Sequence, residues 1–151
     1  MNLPKEFEYY LQKSIIRKSY PDKPRAKFLI KEPENSLEGL KERIRIIGIN
    51  DKNANSIIKD CYDIIMELTR ARLFLDGYFS SGNYAHEAEI SYLIKLGFLE
   101  NEISFVNDLR YFRNSVTYYG KILNKEYAQK VYDFMRKIVG KLKNIVNDKL
   151  K

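Results

Sequence analysis

The chain has 151 residues, of which 44% are hydrophobic and 31% are charged, and its formal net charge is +7 at pH 7. This composition excludes a disordered chain, and no apolar run approaches the roughly 18 residues that cross a bilayer. The N-terminus lacks the basic-then-apolar order of a signal peptide. One cysteine and one histidine cannot build an intramolecular disulfide or a Cys/His zinc site. We therefore expect a cytoplasmic protein with no metal or other cofactor.

Helical periodicity recurs from the start of the chain, while strand-like alternation is nearly absent. The spacing predicts a first helix over 3–18, ended by the two prolines that follow it. A short helix over 25–31 is expected to end at Pro33, which interrupts helical hydrogen bonding. A further helix is predicted over 36–47, with Gly48 as its left-handed stop.

The second half of the chain has stronger helical patterns. The broadest apolar stripe covers 52–76, and a shorter helix is predicted over 84–96. Another runs over 99–119, and the last over 125–148 with apolar residues spaced 3, 4, 3, 4 and 3. Gly140 inside the last helix costs about 1 kcal/mol relative to alanine, or allows another helix to approach closely. Together these elements predict a single all-α domain, an antiparallel up-and-down bundle of four to six helices.

The positive charge is concentrated at the two ends of the chain. Residues 1–31 hold eight Lys and Arg against three acidic residues, and residues 121–151 hold nine against three. The segment between them holds ten Lys and Arg against fourteen acidic residues. If the terminal helices pack together, they form a positive face that attracts phosphates. Solvated lysine-rich helix faces give the same pattern, so both interpretations stay open.

A polar edge is predicted beside the buried stripe of the helix over 99–119. Arg113 and Thr117 share a face with Arg110, while Asn114 and Tyr118 lie one step further round. An arginine here can hold a phosphate, because its planar fork matches two phosphate oxygens. Alternatively, Arg113 pairs with a carboxylate on a facing helix, and its polar neighbours are ordinary boundary residues.

The order of short motifs along the chain resembles the HEPN superfamily, whose members are helical-bundle domains of prokaryotic toxin–antitoxin and defence systems. The most specific piece is Arg113-Asn114 with a ring residue five places after the arginine. The resemblance covers about residues 52–146 and leaves 1–50 as an N-terminal helical extension. The other motifs that carry it are Cys61-Tyr62-Asp63, Leu73 to Tyr78, Tyr84 to Ala88, Leu96-Gly97-Phe98 and Leu109 to Gly120.

The resemblance implies a homodimer in which the arginine-bearing helices of two subunits face each other. Many HEPN proteins are metal-independent ribonucleases with an Arg-Asn-x-x-x-His arrangement. By this resemblance Arg113 is the phosphate ligand, Asn114 the polar helper and Tyr118 the residue at the histidine position. The ordinary pKa of tyrosine is near 10 and that of histidine is near 6.5. Tyr118 could therefore act as a general base at neutral pH only if its pKa were lowered by about three.

Three further side chains are candidate nucleic-acid contacts: Arg110, Thr117 and His86. His86, the only histidine, could supply the missing base if folding or dimerisation brings it beside Arg113. The plainer interpretation is a hydrogen-bonded histidine at the start of a helix.

Two classes of function follow. The first is a HEPN-like protein acting on RNA, as a weak metal-independent endoribonuclease or toxin component. The alternative is a non-catalytic module that binds RNA or a nucleotide, or that docks a nucleotidyltransferase-type antitoxin. A plain structural homodimer, with Arg113 as an ion-pair residue, is a third interpretation.

Overall fold

The computed structural model describes residues 1–120 and 122–151, with side chains described at all of these except 116–119. Helices dominate the described residues, as the sequence predicts, and the all-α bundle is confirmed. The elements in chain order are α1 (Phe7–Gln12), β1 (Ile16–Lys18), α2 (Lys23–Ile47), α3 (Ala54–Leu75), β2 (Tyr78–Ser80), α4 (Ala85–Lys95), α5 (Glu100–Tyr119) and α6 (Lys125–Leu150).

Helix α3 is the centre of the bundle, and α2, α4, α5 and α6 all pack against it. The apolar stripe of α3 is broad, and its buried residues lie on several faces of the helix, so α3 can pack against four neighbouring helices. The narrow apolar seam of α6 faces α3, as its spacing predicts, and includes Val131, Met135, Ile138 and Leu142. Short loops join α2 to α3 and α4 to α5, so each of these packed pairs runs antiparallel.

Helix α2 is one continuous helix, so the predicted pair of short helices around Pro33 is wrong. Pro33 lies inside α2 and is buried. It occupies one position of an apolar seam whose other members are Ala26, Ile30, Leu37 and Leu40, with steps of 4, 3, 4 and 3. Packing of this seam against α3 outweighs the hydrogen bond that the proline cannot donate.

The prediction of a single helix over 3–18 is also wrong. Helix α1 ends at Gln12, and Ser14 adopts a left-handed conformation with φ of 58°. The chain then forms β1, which pairs antiparallel with β2, in a stretch between two predicted helices. This turn buries Ile16 in a second apolar cluster with Phe7, Tyr10, Leu73, Ala88 and Tyr92.

The two basic ends of the chain have different main neighbours. Helix α1 packs against α4, whereas α6 packs against α3. A positive face formed by direct packing of the terminal helices therefore has no support. No helix in the described residues is both long and apolar enough to cross a bilayer.

Candidate phosphate-binding site

Arg113 lies in the second half of α5, which is anchored at both ends. At its start the backbone N–H of Leu99 donates to Glu102 Oε1 at 2.9 Å, and at its end Gly120 adopts a left-handed conformation. One face of α5 is buried in the core, including Leu109, four residues before Arg113. Because residues four apart share a helix face, Arg113 lies at the edge of this buried face.

Arg113 forms an open ion pair with Asp63 of α3. Its Nε lies 3.5 Å from Asp63 Oδ1, and the two side chains are 30% and 40% exposed. That distance exceeds an ordinary N–H to oxygen hydrogen bond. Although this Nε is buried, it has no hydrogen-bond partner in the described part of the chain. The carboxylate pairing foreseen as the alternative is therefore present, but it leaves the Nε donor without a hydrogen bond on a side chain that is partly exposed.

The electrostatics of Asp63 show how incomplete this pairing is. Burial raises the pKa of the Asp63 carboxyl, the nearby Asp60 adds to the rise, and Arg113 and His86 oppose it. The rise dominates, so the positive charge of Arg113 does not fully offset the cost of burying the Asp63 carboxylate. A negatively charged group bound at Arg113 would meet the competing Asp63 carboxylate.

His86 lies at the start of α4, and its ring is held by a hydrogen bond. Its Nδ1 is 3.1 Å from the hydroxyl of Tyr62, a fully buried side chain of α3. Partial burial of the ring lowers the pKa of His86, and Arg70 and Arg113 lower it further, against the opposing effect of Glu89 and Asp63. The imidazole is therefore neutral at pH 7 and able to accept a proton.

Tyr62 connects the two halves of the site. Burial raises the pKa of its phenol well above the ordinary value, so the hydroxyl stays protonated at neutral pH. The charges of Arg110 and Arg113 act on this pKa, as do those of Glu89 and Asp63. The fold thus brings His86 into the same electrostatic neighbourhood as Arg113.

An ion pair between Arg70 of α3 and the buried Glu89 of α4 fixes the position of the helix that carries His86. Glu89 is fully buried and accepts hydrogen bonds from Arg70 Nε at 2.7 Å and Nη2 at 3.0 Å. It also accepts a hydrogen bond from the hydroxyl of Ser80 in β2. These bonds join α3, α4 and β2, so the helix turn that carries His86 is held against α3.

Sequence reasoning did not single out the polar line on α3. Asp63, Glu67 and Arg70 follow one another by 4 and 3 residues and share one face. Glu67 Oε2 is buried without a hydrogen-bond partner in the described residues, and burial raises the pKa of this carboxyl. Charged residues at helical spacing within the broadest apolar stripe are the signal that could have identified this line.

The other predicted site residues are placed less favourably. Arg110 Nε donates to Asn107 Oδ1 at 3.0 Å, and its guanidinium lies 4.6 Å from the centre of the Tyr111 ring. Asn114 is half-buried and makes no hydrogen bond to a described side chain. The side chains of Thr117 and Tyr118 lie outside the described residues, so their predicted roles are not addressed by the structure.

Within the described residues, no group of three His, Cys, Asp or Glu side chains is arranged to hold a metal ion. Comparisons of the chain with models of known protein families, with curated proteins and with solved structures find no match. The case for a site at Arg113 therefore depends on its geometry and on the motif order in the sequence.

Proposed function

We propose that this protein is a HEPN-like domain that binds the RNA backbone at Arg113 and cleaves RNA slowly without a metal ion. The observation that carries the proposal is the guanidinium of Arg113, which is partly exposed and incompletely hydrogen-bonded. Such a group gains two charge-assisted hydrogen bonds when a phosphate binds. The resemblance to HEPN proteins supports the same role for this arginine.

Cleavage at this site is an internal transesterification of RNA. The ribose 2′-oxygen bonds to phosphorus while the bond from phosphorus to the 5′-oxygen breaks, giving a 2′,3′-cyclic phosphate and a 5′-hydroxyl. The 2′-hydroxyl proton passes to His86, whose neutral ring is held by Tyr62. The protonated imidazole then supplies a proton to the departing 5′-oxygen. Tyr118, at the family's histidine position, is assigned to hydrogen bonding or base stacking.

Arg113 stabilises the charge that develops on the phosphate oxygens during this step. Removing a comparable electrostatic donor from an active site slows reactions by roughly 10² to 10³-fold. Asp63 acts in the opposite direction, because its carboxylate competes with the phosphate for Arg113. The proposed enzyme is therefore slow, and its affinity for RNA is limited by its own aspartate.

The test is cleavage and binding of a fluorescent single-stranded RNA in the presence of EDTA. Arg113→Ala is expected to cut at least about 100-fold more slowly and to bind more weakly. Asp63→Asn is expected to bind RNA more tightly, because the competing charge is gone. Arg45→Ala, which removes one exposed arginine from the last turn of α2, is the matched control and should behave as wild type.

Two results contradict the proposal at different levels. If the wild type cuts no faster than Arg113→Ala, cleavage at this site is wrong. If all three variants also bind RNA with the wild-type affinity, phosphate binding at Arg113 is wrong as well.

Binding without cleavage is the second candidate function, and the Asp63 contact favours it because that carboxylate opposes a reacting phosphate. In this case RNA or a nucleotide binds through Arg113 and is not turned over. The binding affinity falls as the salt concentration rises. In either case, the HEPN resemblance supports a homodimer and a nucleotidyltransferase-type antitoxin as the partner protein. If association with such a partner does not change with salt concentration, the partner docks through apolar contacts.

A further inference from the structure

A second positively charged surface lies away from Arg113, in a groove between α2 and α6. The groove has a volume of about 460 Å³. Both helices pack on α3 and leave this channel between them, with Leu37 of α2 and Val139 of α6 in its lining. The remaining lining residues are Lys41, Asp133, Arg136, Lys137, Gly140 and Lys143.

The charges in this groove are poorly neutralised. Four cationic side chains face one carboxylate, that of Asp133, which leaves an excess of three positive charges. Lys41 has a 3.6 Å contact with Glu38, but both side chains are well exposed and such pairs stabilise little. Within the described residues, Arg136, Lys137 and Lys143 form no ion pair. Gathering like charges in this way is unfavourable for folding, unless an anion binds among them.

Gly140 lines the groove at a position where a side chain would have room to extend. A glycine inside a helix costs about 1 kcal/mol relative to alanine. Neither its backbone nor its packing requires a glycine, since its φ is not positive and a Cβ here would meet nothing within 4 Å. The close helix approach considered from the sequence is therefore not the reason for this glycine. Any larger side chain at this position would occupy the groove.

We propose that this groove binds the sugar-phosphate backbone of a single-stranded nucleic acid, without preference for particular bases. Arg136 and Lys143 lie two helical turns apart, about 10 Å along α6, so the cations face a length of backbone rather than one ion. The nearby Tyr132 is buried beneath Arg136, 5.6 Å from its guanidinium, and offers no exposed ring for stacking. Contacts in this groove are therefore to phosphates, which carry no sequence information.

The groove does not share residues with the Arg113 site, and the proposal does not depend on cleavage. A nucleic acid that binds the groove alone still satisfies this inference.

The experiment measures binding of fluorescent 20-nucleotide U and dT strands by anisotropy at several salt concentrations. Lys137→Glu with Lys143→Glu is expected to weaken both strands about tenfold or more at low salt. The slope of log affinity against log salt should fall by about 0.7 for each phosphate that the variant no longer neutralises. The matched control is Lys23→Glu with Lys27→Glu, an equal charge change about 15 Å or more along α2 from Leu37.

Gly140→Leu tests the shape of the groove without altering charge. It should weaken binding several-fold, whereas Gly39→Leu, at an exposed glycine of α2 with nothing within 4 Å of its Cβ, should not. Leucine favours helix over glycine, so both variants should fold, as circular dichroism can verify. In an Arg113→Ala background the groove variants should have the same effect, which separates this inference from the proposed function.

Equal losses of affinity from the groove and control charge reversals would overturn the proposal, since net charge alone would then explain binding. The proposal would also be overturned if Gly140→Leu bound the strands with wild-type affinity. It would be overturned as well if the wild-type protein did not bind the dT strand.

Discussion

Two arginines of this protein pair with carboxylates in very different ways. Arg70 donates two hydrogen bonds, at 2.7 and 3.0 Å, to the fully buried Glu89. Arg113 approaches Asp63 at 3.5 Å only, and its Nε has no hydrogen-bond partner in the described residues. Removing Arg70 would leave the buried Glu89 carboxylate without its cationic partner, whereas the proposed RNA binding requires Arg113 to exchange Asp63 for a phosphate. Sequence alone cannot distinguish these two arginines.

The single histidine gives a direct measurement of the environment at this site. We expect the pKa of His86 to lie below the ordinary 6.5, because of ring burial and the nearby Arg70 and Arg113. As pH falls below 6.5, the unfolded chain therefore takes up the proton more readily, and stability decreases until the pH has passed the lowered pKa. An NMR titration of the one imidazole measures this pKa without assignment ambiguity.

Arg113→Ala should raise this pKa, because a neighbouring positive charge is removed, and Arg45→Ala should leave it unchanged. A wild-type pKa at or above 6.5, or no response to Arg113→Ala, would contradict the described neighbourhood of His86.

At the scale of secondary-structure elements, the helices with strong patterns are found where they were predicted. Helix α3 spans Ala54–Leu75 against a predicted 52–76, and α4 spans Ala85–Lys95 against 84–96. Helix α2 and strand β1 were mispredicted, since local rules for proline and for apolar spacing were outweighed by packing against distant segments. Ile16 illustrates this, because its burial depends on Leu73 and Ala88, far along the chain.

The turn between α1 and β1 provides a prediction at this scale. Ser14 has a φ of 58°, a conformation that costs residues with a Cβ about 1 kcal/mol. Ser14→Gly is therefore expected to raise the melting temperature by about 2–4 °C, measured by circular dichroism. Ser14→Ala keeps the strain and serves as the control. An equal or lower melting temperature for Ser14→Gly would indicate that this turn is not strained.

At the scale of the whole molecule, the proposed homodimer brings two α5 helices together. Tyr111 on α5 is 53% exposed and lies under the guanidinium of Arg110, which suits a residue at a subunit interface. We expect light scattering to give twice the chain mass of 17.9 kDa. Tyr111→Glu should shift the protein towards monomer, because it puts a charge into the interface.

Tyr20→Glu is the control, since Tyr20 is 93% exposed and lies outside α5. A wild-type mass of one chain, or an equal effect of both substitutions, would argue against dimerisation through α5.

The sequence by itself determined the helical class, the bounds of the later helices and the seam of α6, because these follow from spacing within a few turns of one helix. It also identified Arg113 as a candidate, with the carboxylate pairing as the alternative. Only the tertiary structure decided that Asp63 is the partner, that Tyr62 holds His86, and that α2 and α6 leave a cationic groove. Each of these features joins residues far apart in the chain, and such contacts depend on how the helices pack rather than on any local pattern.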